Sequence, residues 1–157
     1  MSNAPVPEYD LYAIKYATRD AQRRDHFIGG DPHEGPMPLD YFVWVAIDGD
    51  RAIVIDTGFR EDVALQRKRT FLRCPVETLG LLGVDPMAVS DVVLTHLHYD
   101  HVGNFDRFPN ASFHLQEAEM HYATGRYMRY PRLAHSFEAD DVCGIVRLNF
   151  ARRVMFY

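Results

Sequence analysis

Short apolar runs along the chain predict a sheet built from several strands. Loose alternation of apolar and polar residues over 11–18 predicts the first strand. The runs at 41–47 and 51–56 are rich in β-branched and aromatic residues, and the Asp-Gly-Asp between them is typical of a β-hairpin turn. Two more short strands are predicted at 91–96 and 111–116, and the closing letters RVMFY predict the start of another.

The remaining segments predict helices, which separate most of these strands. Residues 60–73 carry acidic residues early and basic residues late, as the helix dipole favours. Residues 75–84 predict a short helix with proline in its first turn, and residues 117–125 predict another that ends at a glycine. From 131 to 152, apolar residues recur at spacings of three and four, which is typical of an amphipathic helix. The pattern predicts an α/β or α+β fold, with residues 1–157 as a single domain.

Composition and charge narrow the class of protein. The chain has 157 residues, of which 47% are hydrophobic, and its formal net charge of −5 argues against nucleic acid as a partner. No apolar run approaches the roughly 20 residues of a membrane span, and the N-terminus lacks the basic and apolar regions of a secretory signal. Cys74 and Cys143 have no partner at a metal-binding spacing, so free thiols and a cytoplasmic location are expected.

Three histidines and an aspartate lie within six residues, in the stretch VLTHLHYDHVGN that follows an apolar run. Alternate residues of a strand point to the same side, so His96 and His98 could reach one ion together if the strand continued that far. Asp100 and His101 lie just beyond, where the chain is expected to turn, and can face a second ion. Because imidazole and carboxylate ligands suit Zn²⁺ and similar first-row metals, the stretch predicts a metal site.

The other five histidines lack this spacing. His26 and His33 lie in a loop rich in glycine and proline, and His114 alternates within a predicted strand. His121 and His135 lie on predicted helices. Each is expected to be an ordinary solvated or packed histidine rather than a metal ligand.

The stretch THLHYDHVGN resembles the signature of the metallo-β-lactamase-fold hydrolases, and IVIDTG at 53–58 is similar to that fold's second landmark. Residues 91–119 are most similar to the branch called N-acyl homoserine lactonase-like. The resemblance implies an αβ/βα sandwich with a dinuclear metal site at one edge of two facing sheets. It also implies that Asp56 supports the metal ligands without binding the metal itself.

Carried over by position, the resemblance implies that His96 and His98 bind a first Zn²⁺, and that Asp100 and His101 bind a second. A metal-bound hydroxide would attack the carbonyl of a small-molecule lactone or related ester, because the metal lowers the pKa of its water and polarises the carbonyl. Asp100 is further expected to have a catalytic role, in handling the proton of the leaving group.

The resemblance covers about the first half of the family's fold. The family's site also uses a later histidine in a GH-x-x-G segment, a bridging aspartate and a last histidine, and residues 105–157 hold none of them in such a context. Roughly 100 residues are therefore expected to be missing from a domain that usually exceeds about 200. Half a sandwich would expose an apolar sheet face, although Phe42 and Trp44 are expected to be core residues.

Several alternatives stay open at this point. The same fold could act as a glyoxalase II-like thioesterase or a β-lactamase, since all these enzymes share the ligand set. A different class is a catalytically incomplete fragment that serves as a binding or interaction module. The segment 126–152 could either cap the active site or build a homodimer interface.

Overall fold

The structure is a computed structural model, and it describes residues 6–27 and 29–157. A seven-stranded mixed sheet runs through this part of the chain in the order β4-β1-β2-β3-β5-β6-β7. Its strands are β1 (Asp10–Arg19), β2 (Leu39–Asp48), β3 (Arg51–Ile55), β4 (Thr70–Phe71), β5 (Asp91–Val93), β6 (Ser112–Leu115) and β7 (Val154–Phe156). Strands β4, β1, β2 and β3 pair antiparallel, whereas β3, β5, β6 and β7 pair parallel. The predicted hairpin and the mixed α and β composition are confirmed.

Short helices connect the strands and cover one face of the sheet. They are α1 (Glu61–Gln66), α2 (Pro75–Thr78), α3 (Tyr99–Val102), α4 (Glu117–Ala123), α5 (Pro131–Ala134) and α6 (Ala139–Phe150). The predicted proline start of α2 is confirmed, and a 3-10 turn then extends it to Gly83, whose φ of 73° ends the segment. None of the helices in the described ranges has the length and apolarity that crossing a membrane would require.

The two faces of the sheet differ in burial. Alternate strand residues such as Val45, Val54 and Phe113 are buried on the helix side, where they join helix residues in one hydrophobic cluster. On the other face Phe42 and Trp44 are 38% and 41% exposed, so their prediction as core residues is wrong. They point away from the helices because Val43 and Val45, which alternate with them along β2, point inward. The expectation of an exposed apolar sheet face is confirmed.

The helix predicted over 60–73 is about half as long as expected. It ends at Gln66, and Lys68 then adopts a left-handed backbone with φ of 56°. The following residues form β4 beside β1, where the Leu72 amide donates to the Tyr16 carbonyl at 2.9 Å. Pairing with an open sheet edge has overridden the helical composition of this segment.

The continuous helix predicted over 131–152 is also wrong, because residues 135–138 interrupt it between α5 and α6. The carbonyl of Ser136, inside the interruption, accepts the backbone amide of Tyr99 at 2.8 Å. A helical Ser136 would direct its carbonyl along its own helix, so a contact with a distant segment replaces one helical turn.

Candidate metal centre

The candidate ligands lie on a loop, residues 94–104, that leaves the carboxyl end of β5; we call it the ligand loop. The predicted strand over 91–96 ends at Val93, so strand alternation does not explain how His96 and His98 share a side. The Thr95 amide donates to the side chain of Asp56 at 2.8 Å instead of to a neighbouring strand. The short helix α3 then carries Asp100 and His101.

The four candidate side chains nevertheless converge. The ring centroids of His96 and His98 are 4.4 Å apart, and those of His96 and His101 are 3.9 Å apart. Nε2 of His101 lies 3.4 Å from Oδ2 of Asp100. Among the residues that the structure describes, no group of three or more histidine, cysteine or acidic side chains already encloses an ion position. The donors are therefore gathered but not arranged as a closed cage.

Asp56 connects the ligand loop to the neighbouring strand β3. It is buried, with 4% exposure, and its backbone has a φ of 62°, a left-handed conformation that aspartate tolerates better than most residues. Its carboxyl oxygens accept the Thr95 hydroxyl and lie 2.7 Å from Nδ1 of His101. This contact fixes the ring so that Nε2 faces Asp100, as a carboxyl group behind a metal-binding histidine does.

The electrostatics differ within the cluster. Burial lowers the pKa of His96 and of His98, with the neighbouring His101 charge adding to the effect. Burial would lower the pKa of His101 too, but hydrogen bonds to Asp100 and Asp56 raise it to about 9. Burial likewise opposes ionisation of Asp100, but its hydrogen bond with His101 lowers the pKa of that carboxyl overall. Metal binding at His101 would therefore displace a proton.

This donor set fits a zinc ion chemically. His96 and His98 favour the neutral form that binds metals, and Asp100 favours the carboxylate. Asp56 already orients the third imidazole, on His101. Metal binding by His96, His98, Asp100 and His101 stays a prediction, and so does the supporting role of Asp56.

Sequence reasoning missed the contacts that hold the backbone of the ligand loop. The Leu97 amide donates to Oε1 of Glu119 at 2.9 Å, and the hydroxyl of Tyr16 donates to the Asp100 carbonyl at 2.8 Å. These partners lie 22 and 84 residues away from the loop in sequence, where neither periodicity nor motif spacing points to them.

An aromatic cluster packs against the ligand loop around Tyr99. The ring of Tyr99 stacks on Phe59 with centroids 5.5 Å apart, and the guanidinium of Arg67 lies 3.9 Å from the Tyr99 centroid. The hydroxyl of Tyr99 lies 3.2 Å from that of Tyr41. Arg67, the residue after α1, also pairs with Glu138 at the start of α6, so its guanidinium connects the Tyr99 ring to that helix.

The remaining histidines lie outside this cluster and are packed against other residues or exposed, as expected. His114 lies 2.9 Å from Asp91 and 3.0 Å from the hydroxyl of Tyr157, on the open sheet face. His26 contacts a loop carbonyl, His33 an aspartate of the same loop, and His121 is exposed. His135 is also exposed, where α5 ends.

The class of protein follows from this fold and from sequence comparison. The chain belongs to the metallo-beta-lactamase superfamily, whose sequence model matches residues 37–143. This match includes both landmarks, Asp56 and the ligand loop.

Within the superfamily, the chain is similar to lactonases. It is 40% identical over 83 residues to the N-acyl homoserine lactonase AttM of Azorhizobium caulinodans, a match that covers 49% of this chain and 31% of that protein. A crystal structure of a quorum-quenching N-acyl homoserine lactone lactonase matches 98% of this chain and 58% of its own, with a TM-score of 0.70 and 16% identity. AidC, described as a dizinc quorum-quenching lactonase with bound product, matches with a TM-score of 0.68 and 17% identity, over 98% of this chain and 60% of that one.

These structural matches, at under a fifth identity, establish the fold. The chain spans about 58–60% of the length of the lactonase structures that it matches. The fold class, and the likeness to the first part of a lactonase-like protein, are thereby confirmed.

Proposed function

We propose that the protein containing this chain is a metal-dependent hydrolase that opens a lactone or a related ester. The observation that carries the proposal is the convergence of His96, His98, Asp100 and His101 at the carboxyl end of β5, with His101 held by Asp56. The similarity to AttM supports a lactone as the substrate class, and the dizinc description of AidC supports two zinc ions. Cytoplasmic location and a homodimer remain predictions.

The position of each residue on the ligand loop indicates which zinc ion it would bind. His96 and His98 would hold one Zn²⁺, and Asp100 and His101 a second. When bound, zinc lowers the pKa of its water towards about 7 and polarises a substrate carbonyl. Asp56 keeps Nδ1 of His101 engaged, so Nε2 is the nitrogen left to bind.

Asp100 is the residue that we assign to proton transfer. Its pKa is lowered by the hydrogen bond with His101 against the effect of burial, so the carboxylate is the resting form. A carboxylate beside the reacting carbonyl can accept a proton from the attacking water. It can then return that proton to the leaving alkoxide when the lactone ring opens.

Metal content and substrate range of the whole protein test this proposal. We expect close to two zinc ions per chain, and hydrolysis of an acyl-homoserine lactone that falls by at least ~100-fold in His96→Ala. The matched control is His121→Ala, an exposed histidine on α4, which should change neither quantity. Assays with S-lactoylglutathione and a chromogenic β-lactam compare the rival substrates directly.

Two outcomes would count against the proposal in different ways. Fewer than one tightly held transition metal per chain contradicts the metal-dependent mechanism. Full metal content with preferential turnover of the thioester or the β-lactam keeps the mechanism and replaces the substrate. Stable folding with neither metal nor turnover would favour a binding or interaction module.

A further inference from the structure

The ligand loop is held in place through its own backbone, at the peptide between two candidate ligands. Leu97 lies between His96 and His98, and its amide donates to Oε1 of Glu119 at 2.9 Å. The Leu97 side chain is fully buried, so this residue anchors the loop on both its backbone and its side chain. Movement of the Leu97 peptide would turn both flanking imidazoles at once, since each is attached one residue away.

Glu119 is unusual in where its carboxyl group points. It is the third residue of α4, a position from which glutamate commonly folds back to cap the first turn of its own helix. The N-cap residue of α4, Gln116, makes no side-chain cap hydrogen bond either. Glu119 is half-buried and reaches out of its helix to a loop 22 residues earlier in the chain.

We propose that Glu119 is a positioning residue for the metal centre, which holds the Leu97 peptide so that His96 and His98 face one ion. A hydrogen bond to an ionised acceptor is roughly twice as strong as a neutral one, so a carboxylate is well suited to fix a loop amide. The inference rests on the proposed metal-dependent function, and adds to it a residue outside the family's ligand motif.

Zinc affinity of the whole protein is the first test. In a titration against a competing chelator, Glu119→Ala should weaken zinc binding by about 10- to 100-fold, as loss of such support does at other sites. Glu119→Gln keeps an oxygen acceptor at the same place and should stay within about threefold of wild type. Glu117→Ala removes an exposed carboxyl group from the first turn of the same helix and should leave the affinity unchanged.

Amide hydrogen exchange of the metal-free protein is the second test, since it needs neither metal nor turnover. Exchange at the Leu97 amide should be at least about 10-fold faster in Glu119→Ala than in wild type, and close to wild type in Glu119→Gln. A variant that only loosens the whole fold would speed exchange in β2 and β5 as well. Acceleration confined to the ligand loop therefore distinguishes positioning from general destabilisation.

The outcomes separate this inference from the function on which it rests. Wild-type protein that holds no zinc contradicts the proposed function, and the positioning role with it. Wild-type protein that holds zinc, with equal affinity in Glu119→Ala, contradicts the positioning role alone. An equal loss in Glu119→Ala and Glu117→Ala would also overturn it, because the effect would then be one of helix charge rather than of the Leu97 contact.

Discussion

Two loops leave neighbouring parallel strands at the same edge of the sheet, and they differ in their contacts and in their burial. The loop after β3 carries Asp56, which contributes a carboxyl group to its neighbour. The loop after β5 carries the candidate ligands, whose nitrogen and oxygen atoms converge and would bind the metal in the proposed function. The side chain of Asp56 is 5% exposed, whereas that of His101 is 25% exposed. In the proposed metal centre, the buried loop would therefore orient the donor atoms and the more accessible loop would supply them.

Among the substitutions considered, replacing Asp56 should reduce the free energy of unfolding the most, because Asp56 connects the two loops. Asp56→Asn keeps a side chain that tolerates the left-handed backbone, but places an NH₂ group among the donors of Thr95 and His101. We expect a loss of about 3 kcal/mol in the free energy of unfolding of the metal-free protein, measured with denaturant. An exposed aspartate gives the control, since Asp62→Asn should change that free energy by less than about 0.5 kcal/mol. Equal stability of Asp56→Asn and wild type would mean that the loop after β3 does not support the loop after β5.

Gly58 tests whether the supporting loop needs its tight path. Its φ is 68°, and an added Cβ would lie 2.9 Å from the Pro75 side chain and 3.0 Å from the Tyr16 ring. Gly58→Ala should therefore cost about 2 kcal/mol or more in thermal or denaturant unfolding, from strain and crowding together. The control is Gly49→Ala in the β2–β3 turn, where φ is 56° but the space is open, at a cost of about 1 kcal/mol. If both variants lose the same free energy of unfolding, then crowding around Gly58 does not contribute to stability.

Replacing Asp141, at the start of α6, should change the free energy of unfolding by a smaller amount that depends on pH. Burial raises its pKa from 3.8 to about 6; Arg60 opposes this and Glu138 adds to it. The unfolded chain ionises this group near 3.8, so ionisation penalises the folded state increasingly as pH rises from 3.8 to about 6. Asp141→Asn should stabilise the protein by about 1 kcal/mol at pH 8, after allowance for solvent screening, and by nothing below pH 3.8. Unfolding curves at pH 8 and pH 3.5 check this, and an equal gain at both would exclude the titration.

Local patterns predicted those features that depend on nearby residues. The β2–β3 hairpin can be predicted from sequence because its turn and its flanking strands are contiguous. The cluster around His98 can be predicted because its candidate donors lie within six residues. The secondary-structure predictions that were wrong concern segments whose conformation depends on residues distant in sequence. Thr70 and Phe71, inside the predicted helix, form β4 because an edge of β1 is available, and the helix predicted over 131–152 is interrupted where Ser136 accepts a ligand-loop amide.

The same distinction applies inside the candidate site. Asp56 could be proposed from sequence only because its motif resembles that of a known family, since its partner Thr95 lies 39 residues away. Glu119 and Tyr16 belong to no such motif, and their contacts with the ligand loop emerge only when the chain is folded.

Anomalous diffraction at the zinc edge, from crystals of the whole protein grown with zinc, would show directly whether the ligand loop binds two metal ions. We expect two anomalous peaks at the ligand loop, one about 2.0–2.1 Å from a ring nitrogen of both His96 and His98, the other bound by Asp100 and His101. Zinc found only at other histidines, such as the exposed His121, or no anomalous peak within reach of the ligand loop, would contradict it.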